Sequence, residues 1–163
     1  MKIENLNDLF LHTLQDIYFA EKQIVKALPK MMKKTESPEL GKAFESHLAE
    51  TEEQVTRLEQ VFEMLGEKPK ATKCPAIEGI IEEANELIAD IQDSDTRDAG
   101  MIAAAQAVEH YEITRYGTLV SWAELLGMKD AAKVLGQTLK EEYGADQKLT
   151  KLAESRLNKE AAE

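Results

Sequence analysis

Acids interrupt every long apolar stripe in this sequence. On the first stripe Leu14, Ile17, Glu21, Ile24 and Leu28 follow one another at steps of three and four, so Glu21 has aliphatic neighbours on both sides. The second stripe reads Leu40, Phe44, His47, Glu50, Gln54, Leu58, Val61 and Leu65. The third carries Glu109 and Glu112 between Ala105 and Tyr116, and the fourth carries Glu142 and Asp146 between Leu139 and Leu149. Glutamate is almost never fully buried without a partner. Several carboxylates gathered in an apolar interior also repel one another. Lysine and arginine are scarce on these stripes, so the partner called for is a multivalent cation. Carboxylate oxygens with an imidazole suit iron or manganese, and a site this rich in oxygen leaves magnesium open.

Apolar residues recur with the helical period, and no strand-like alternation is present. The spacing predicts five helices, over about residues 5–35, 37–65, 76–92, 96–126 and 128–157 of a single 1–163 domain. Pro29 falls inside the first and is a candidate kink. Ser37-Pro38 opens the second as N-cap and first helical residue. Gly66 closes it, and Pro69 prevents continuation. Ser94-Asp95-Thr96 offers a cap for the fourth helix, which Gly127 ends. Two long helical hairpins are therefore joined by a crossover with a short helix of its own. The expected fold is all-α, a ferritin-like four-helix bundle.

Depth along those helices sharpens the chemistry. Glu21 and Glu50 lie 15 and 14 residues from a turn near residue 36, and Glu112 and Glu142 each lie 15 from Gly127. At a rise of roughly 1.5 Å per residue, the four glutamates share one level near mid-bundle whichever way the second hairpin points. Glu109 and Asp146 are level with each other about one turn away. One carboxylate per helix at a common depth matches a carboxylate-bridged dinuclear site, with Glu50 and Glu142 bridging and Glu21 and Glu112 outside them. Glu109, Asp146 and His47 are further candidate ligands. Gln54 and Tyr116 are candidates to hydrogen-bond the ligating carboxylates.

Composition narrows the remaining choices. The chain has 163 residues with 20 basic and 31 acidic side chains, a formal charge of −11. Such a surface repels phosphate backbones, so no nucleic acid and no anionic membrane is an expected partner. A single cysteine, Cys74, excludes a disulfide framework and a cysteine-rich zinc site. Met1-Lys2-Ile3-Glu4-Asn5 lacks the apolar run of a signal peptide, and no apolar stretch is long enough to span a bilayer, so a cytoplasmic protein is expected. There is no glycine-rich phosphate loop.

The chain resembles the bacterial YciE/YciF-type ferritin-like proteins over nearly its whole length. The residues that carry the resemblance are Tyr18-Phe19-Ala20-Glu21-Lys22, His47-Leu48-Ala49-Glu50-Thr51, Cys74-Pro75-Ala76-Ile77-Glu78-Gly79, Val108-Glu109-His110-Tyr111-Glu112-Ile113 with Tyr116-Gly117, and Leu139-Lys140-Glu141-Glu142 with Asp146. The resemblance implies a stress-associated bacterial protein with a di-iron, ferroxidase-like centre, and a homodimer. One departure concerns the ligands. The general pattern has two Glu-x-x-His pairs, whereas Glu53 stands three after Glu50 and Ala145 three after Glu142. His47, one turn before Glu50, would supply imidazole from the other side.

The leading expectation is thus a pair of metal ions per chain, iron first and manganese second. It would oxidise iron(II) with oxygen or peroxide. Two other readings remain open. One is a non-catalytic bundle whose inward acids are protonated, water-bridged or paired with a partner. The other is a manganese catalase-like protein that removes peroxide.

Overall fold

A computed structural model of the chain describes residues 2–163; Met1, where the expected domain begins, lies outside the described residues. Among the described residues there are helices and no strands. Helix α1 spans Leu6–Met32, α2 Pro38–Met64, α3 Pro75–Asp90, α4 Ser94–Leu125 and α5 Lys129–Leu152. A π-helical turn, Ala153–Leu157, prolongs α5, and three further helical residues, Asn158–Glu160, follow it. The arrangement is the expected ferritin-like one. Helices α1 and α2 pair as one hairpin, α4 and α5 as the other, and α3 lies in the crossover against α4 and α1.

The helix ends follow local chemistry. Asn5 caps α1 by accepting from the Asp8 amide at 2.9 Å, and Ser37 caps α2 through the Leu40 amide at 3.3 Å. Gly66 and Gly127 adopt φ of 70° and 74°, the left-handed conformation that ends a helix without a Cβ penalty. Helix α4 starts earlier than its polar punctuation suggested. Asp93 is its cap, accepting from the Thr96 amide at 2.7 Å, so Ser94-Asp95-Thr96 already lie inside the helix.

Helix α1 runs through Pro29 but stops at Met32, short of the expected 35. The cause is Asp98 on α4, which is 2% exposed. Its carboxylate accepts from Thr35 Oγ1 at 2.9 Å, the Glu36 amide at 3.1 Å and the Ser37 amide at 2.7 Å. These bonds satisfy backbone donors that a longer α1 would have used internally. The linker is pinned as well: the Thr72 amide donates to the Gln15 carbonyl at 3.1 Å, and Thr72 Oγ1 to Gln15 Oε1 at 3.0 Å.

Apolar side chains from all five helices form one core. Phe10, Leu14 and Ile17 of α1, Phe44 and Leu58 of α2, Ile77 of α3, Met101, Ile102 and Leu119 of α4, and Leu135 of α5 are all nearly inaccessible. Halfway along the bundle this apolar interior gives way to acids.

Candidate metal centre

Four glutamates occupy the middle of the bundle with essentially no solvent contact: Glu21 from α1, Glu109 and Glu112 from α4, and Glu142 from α5. His47 from α2, 8% exposed, completes the group. One ligand-capable atom from each of His47, Glu109, Glu112 and Glu142 can be chosen so that all four lie within 4.8 Å of one another.

The donors that reach these acids are few. Tyr116 Oη donates to Glu21 Oε1 at 2.5 Å. Gln54 Nε2 donates to Glu142 Oε1 and, at 3.1 Å, to Glu141 Oε2. Five carboxylate oxygens are left without a donor: Glu21 Oε2, Glu109 Oε2, both oxygens of Glu112, and Glu142 Oε2. Among the described residues no lysine or arginine pairs with any of the four acids. Arg57, on the same helix as His47, is engaged elsewhere: it grips Glu141 with two nitrogens at 2.6 and 2.8 Å and reaches Glu53 at 2.9 Å. His47 Nε2 stands 3.1 Å from Glu109 Oε1, yet neither imidazole nitrogen is aligned for a hydrogen bond.

Electrostatics record the strain of this assembly. Burial, reinforced by the charge of Glu142, pushes the Glu21 carboxyl up to about 8, although the Tyr116 hydroxyl opposes the shift. Burial, with Glu142 and Glu21 nearby, raises Glu109 to about 11. Glu112 is also driven well above the usual carboxylate range, by burial first and then by Glu142, Glu21 and Glu109. Tyr116 is raised for the same reasons, burial foremost. Without a cation, the cluster retains protons.

These residues fit a bound cation by their own chemistry. Orphaned oxygens from three helices converge on one volume, an imidazole faces them, and no protein cation competes. Oxygen and nitrogen donors of this kind suit a hard or borderline divalent ion.

Not every candidate joins the cluster. Glu50 is half-buried at its margin, with its carboxylate 3.9 Å from His47 Nδ1 and 3.8 Å from Lys148 Nζ. His47 first, and Lys148 after it, hold that carboxyl below the usual range. The inward slot of that turn belongs to Thr51, which is fully buried and donates to the His47 carbonyl at 2.8 Å. Asp146 is likewise half-buried beside the buried Ala145. It accepts from Gln106 at 3.0 Å and faces the exposed His110 at 3.2 Å. Glu50, expected to bridge with Glu142, is thus outside the group of four whose ligand atoms lie within 4.8 Å of one another. His47 is the α2 side chain that enters the cluster. Sequence reasoning missed the Arg57–Glu141 pair that flanks Gln54. The sequence signals only its local part, Glu53 and Arg57 four residues apart on α2, and not the reach to Glu141.

Comparison with known proteins places this architecture. Residues 5–162 match the family model described as a domain of unknown function, DUF892. The chain is 49% identical over 162 residues to Protein YciF of Escherichia coli (strain K12), an alignment covering 99% of this chain and 98% of that one. The crystal structure of the E. coli stress protein YciF is similar at a TM-score of 0.92, covering 96% of this chain and 99% of that chain. The structure of YcfI from Rhodopseudomonas palustris matches at a TM-score of 0.92 and 51% identity, with 93% of this chain and 97% of that chain covered.

Proposed function

The chain belongs to the DUF892 family, and on that premise we propose that it is a dinuclear metal-carboxylate protein that oxidises iron(II) during stress. The observation that carries this reading is the set of five donor-less carboxylate oxygens in the core, facing His47 and no protein cation. When bound, a pair of iron ions would supply two electrons to one molecule of dioxygen or peroxide, each ion passing from the ferrous to the ferric state.

The protein's own part is electrostatic. Buried carboxylates favour the higher charge of the ferric ion over the ferrous one, because little water competes at low exposure. Glu109, Glu112 and Glu142 would hold the ions together with His47, and Glu21 would close the α1 side. Tyr116 fixes Glu21, and Gln54 fixes Glu142, so the ligands are oriented before metal arrives. Arg57 anchors Glu141, which lets Gln54 stand between Glu141 and Glu142 without drawing a positive charge into the centre. Protons held by Glu21, Glu109 and Glu112 would be released as cations enter.

Anaerobic titration with iron(II) tests the reading. We expect about two ions retained per chain, and near-ultraviolet absorption of carboxylate-bound ferric iron after oxidant is added. Glu112→Gln and Glu142→Gln should each lower the retained iron. A chain that retains no iron, manganese or other divalent ion would refute it.

A second reading is favoured by one observation, the raised carboxyl groups. If the protons on Glu21 and Glu109 are the resting partners of this core, the protein is a non-catalytic stress-associated bundle. It would then be indifferent to metal: the wild type would melt at the same temperature with and without added metal, and a Glu50→Ala, Glu142→Ala double variant would leave that melting unchanged. Peroxide disproportionation by manganese-loaded protein would instead indicate catalase-like chemistry.

A further inference from the structure

A cavity of about 40 Å³ lies between α1, α3 and α4. Its walls are aliphatic, including Ile24, Leu28, Ile81, Ile88 and Val108, and its inner end is formed by His47 and Glu109. A water molecule needs roughly 10–15 Å³ by this measure and two to four polar partners, whereas an apolar void of this kind stays dry and takes up apolar gases. Besides the inner pair, the lining offers one polar side chain, Asn85. The space is about three times that for a single water, and well short of the roughly 150 Å³ that admits an aromatic ring.

A second space adjoins the cavity. A mainly apolar trough of about 230 Å³ between α3 and α4, lined by Ile80, Leu87, Ala103 and Ala107 with Glu83 at its edge, shares Ala84 and Ala104 with it. Two methyl side chains therefore stand where the trough and the interior cavity adjoin. The opposite side of the His47–Glu109 pair differs in character. There a space of about 20 Å³ between α2, α4 and α5 is bordered by Ser46, Glu50 and Lys148. Charged groups thus stand on one side of the pair and aliphatic groups on the other.

We propose that the α1/α3/α4 cavity is a binding site and access route for molecular oxygen, which reaches the centre past Ala84 and Ala104, while charged solutes are confined to the Glu50–Lys148 side. The assignment rests on the oxidative function above for its purpose, but not for its occupancy. An uncharged diatomic gas fits the volume and needs no hydrogen bonds. Hydrogen peroxide needs several, which this wall does not supply. The crossover helix gains a role here: Ile81, Ala84 and Ile88 on α3 roof a path that would otherwise be wet.

The test uses metal-free protein under a few bars of oxygen. Paramagnetic broadening of methyl NMR signals should be greater at Ile24, Leu28 and Ile88 than at Ile17 and Leu58, which are also buried but lie outside the cavity. Xenon-pressurised crystals should show a peak at the same place. Ala104→Leu, or Ala84→Leu should the first fail to fold, should remove the excess broadening. Uniform broadening, no xenon peak, or broadening that survives both variants would overturn the proposal. In iron-loaded protein either variant should slow oxidation by oxygen about tenfold while leaving oxidation by hydrogen peroxide near wild type; equal slowing of both would overturn it. Iron retention is measured first in the wild type. Its failure would refute the oxidative function, and the broadening in metal-free protein would still decide the site.

Discussion

Nε2 of His47 lies 3.1 Å from Oε1 of Glu109, bringing α2 and α4 together across the bundle without hydrogen-bond alignment. Two groups held this close with no proton correctly placed between them are arranged for a third body. Glu112 and Glu142 approach the same point. The bundle thus keeps an imidazole and three carboxyl groups together at a position where burial disfavours their ionised forms.

Metal should therefore stabilise the fold by mass action. With free metal at about 100 times its dissociation constant, the gain is about 2.7 kcal/mol, read as a rise in melting temperature. Glu112→Gln should abolish that rise. The same variant without metal should be as stable as wild type or more so, because an amide can donate to the neighbouring carboxylates where Glu112 meets no donor. A metal-free variant much less stable than wild type would contradict this account of Glu112.

The metal-free protein should lose stability as the pH rises. The folded Glu21 carboxyl titrates at about 8 against an ordinary value of 4.5, so over that window the native chain keeps a proton the unfolded chain has released. Stability from this group is complete below 4.5 and is lost as the pH climbs through about 8. Glu109 and Glu112 are raised for the same reason and extend the loss upward. Bound metal replaces those protons, so the loaded protein should show a flatter or reversed trend. Melting curves from about pH 5 to about pH 9, with chelator and with metal, would show the crossing. A metal-free melting temperature that climbs across this window would contradict it.

Tyr116→Phe removes the hydroxyl that reaches Glu21. It should weaken metal binding by about 10- to 100-fold through misplacement of that carboxylate. Equilibrium dialysis would measure the change, and unaltered affinity would show that Tyr116 merely fills space.

Asp98→Ala should act on folding and leave the centre alone. It strands the buried Ser37 amide, at about 1–3 kcal/mol, and leaves the part-buried Glu36 amide and Thr35 hydroxyl to water. Denaturant unfolding should register the loss while metal stoichiometry stays at the wild-type value. A fall in stoichiometry with unchanged stability would reverse the assignment.

Much of the architecture was legible because apolar periodicity and turn residues agreed. Gly66, Gly127 and Ser37-Pro38 marked ends that the structure also has. The inward placement of Glu21, Glu109, Glu112 and Glu142 followed from the same three-and-four spacing. Glu50 shows where that reading lost resolution. From His47 a stripe can step to 50 or to 51 before reaching 54, and the choice turns the side chain by roughly 100° about the helix axis. Counting residues from a turn measures depth but not this angle, and Thr51 holds the buried slot. Asp146 and Ala145 repeat the ambiguity on α5, as do Leu139 and the buried Thr138. The Asp98 contacts and the Arg57–Glu141 pair were not legible, because they join residues 61 to 84 positions apart.

Anomalous diffraction from a crystal soaked in manganese(II) tests the central claim most directly. We expect density for metal among His47, Glu109, Glu112 and Glu142, with Glu21 turned toward it and Tyr116 still bound to Glu21. A saturated crystal with no anomalous peak there, and with protons or water alone between the carboxyls, would contradict the account.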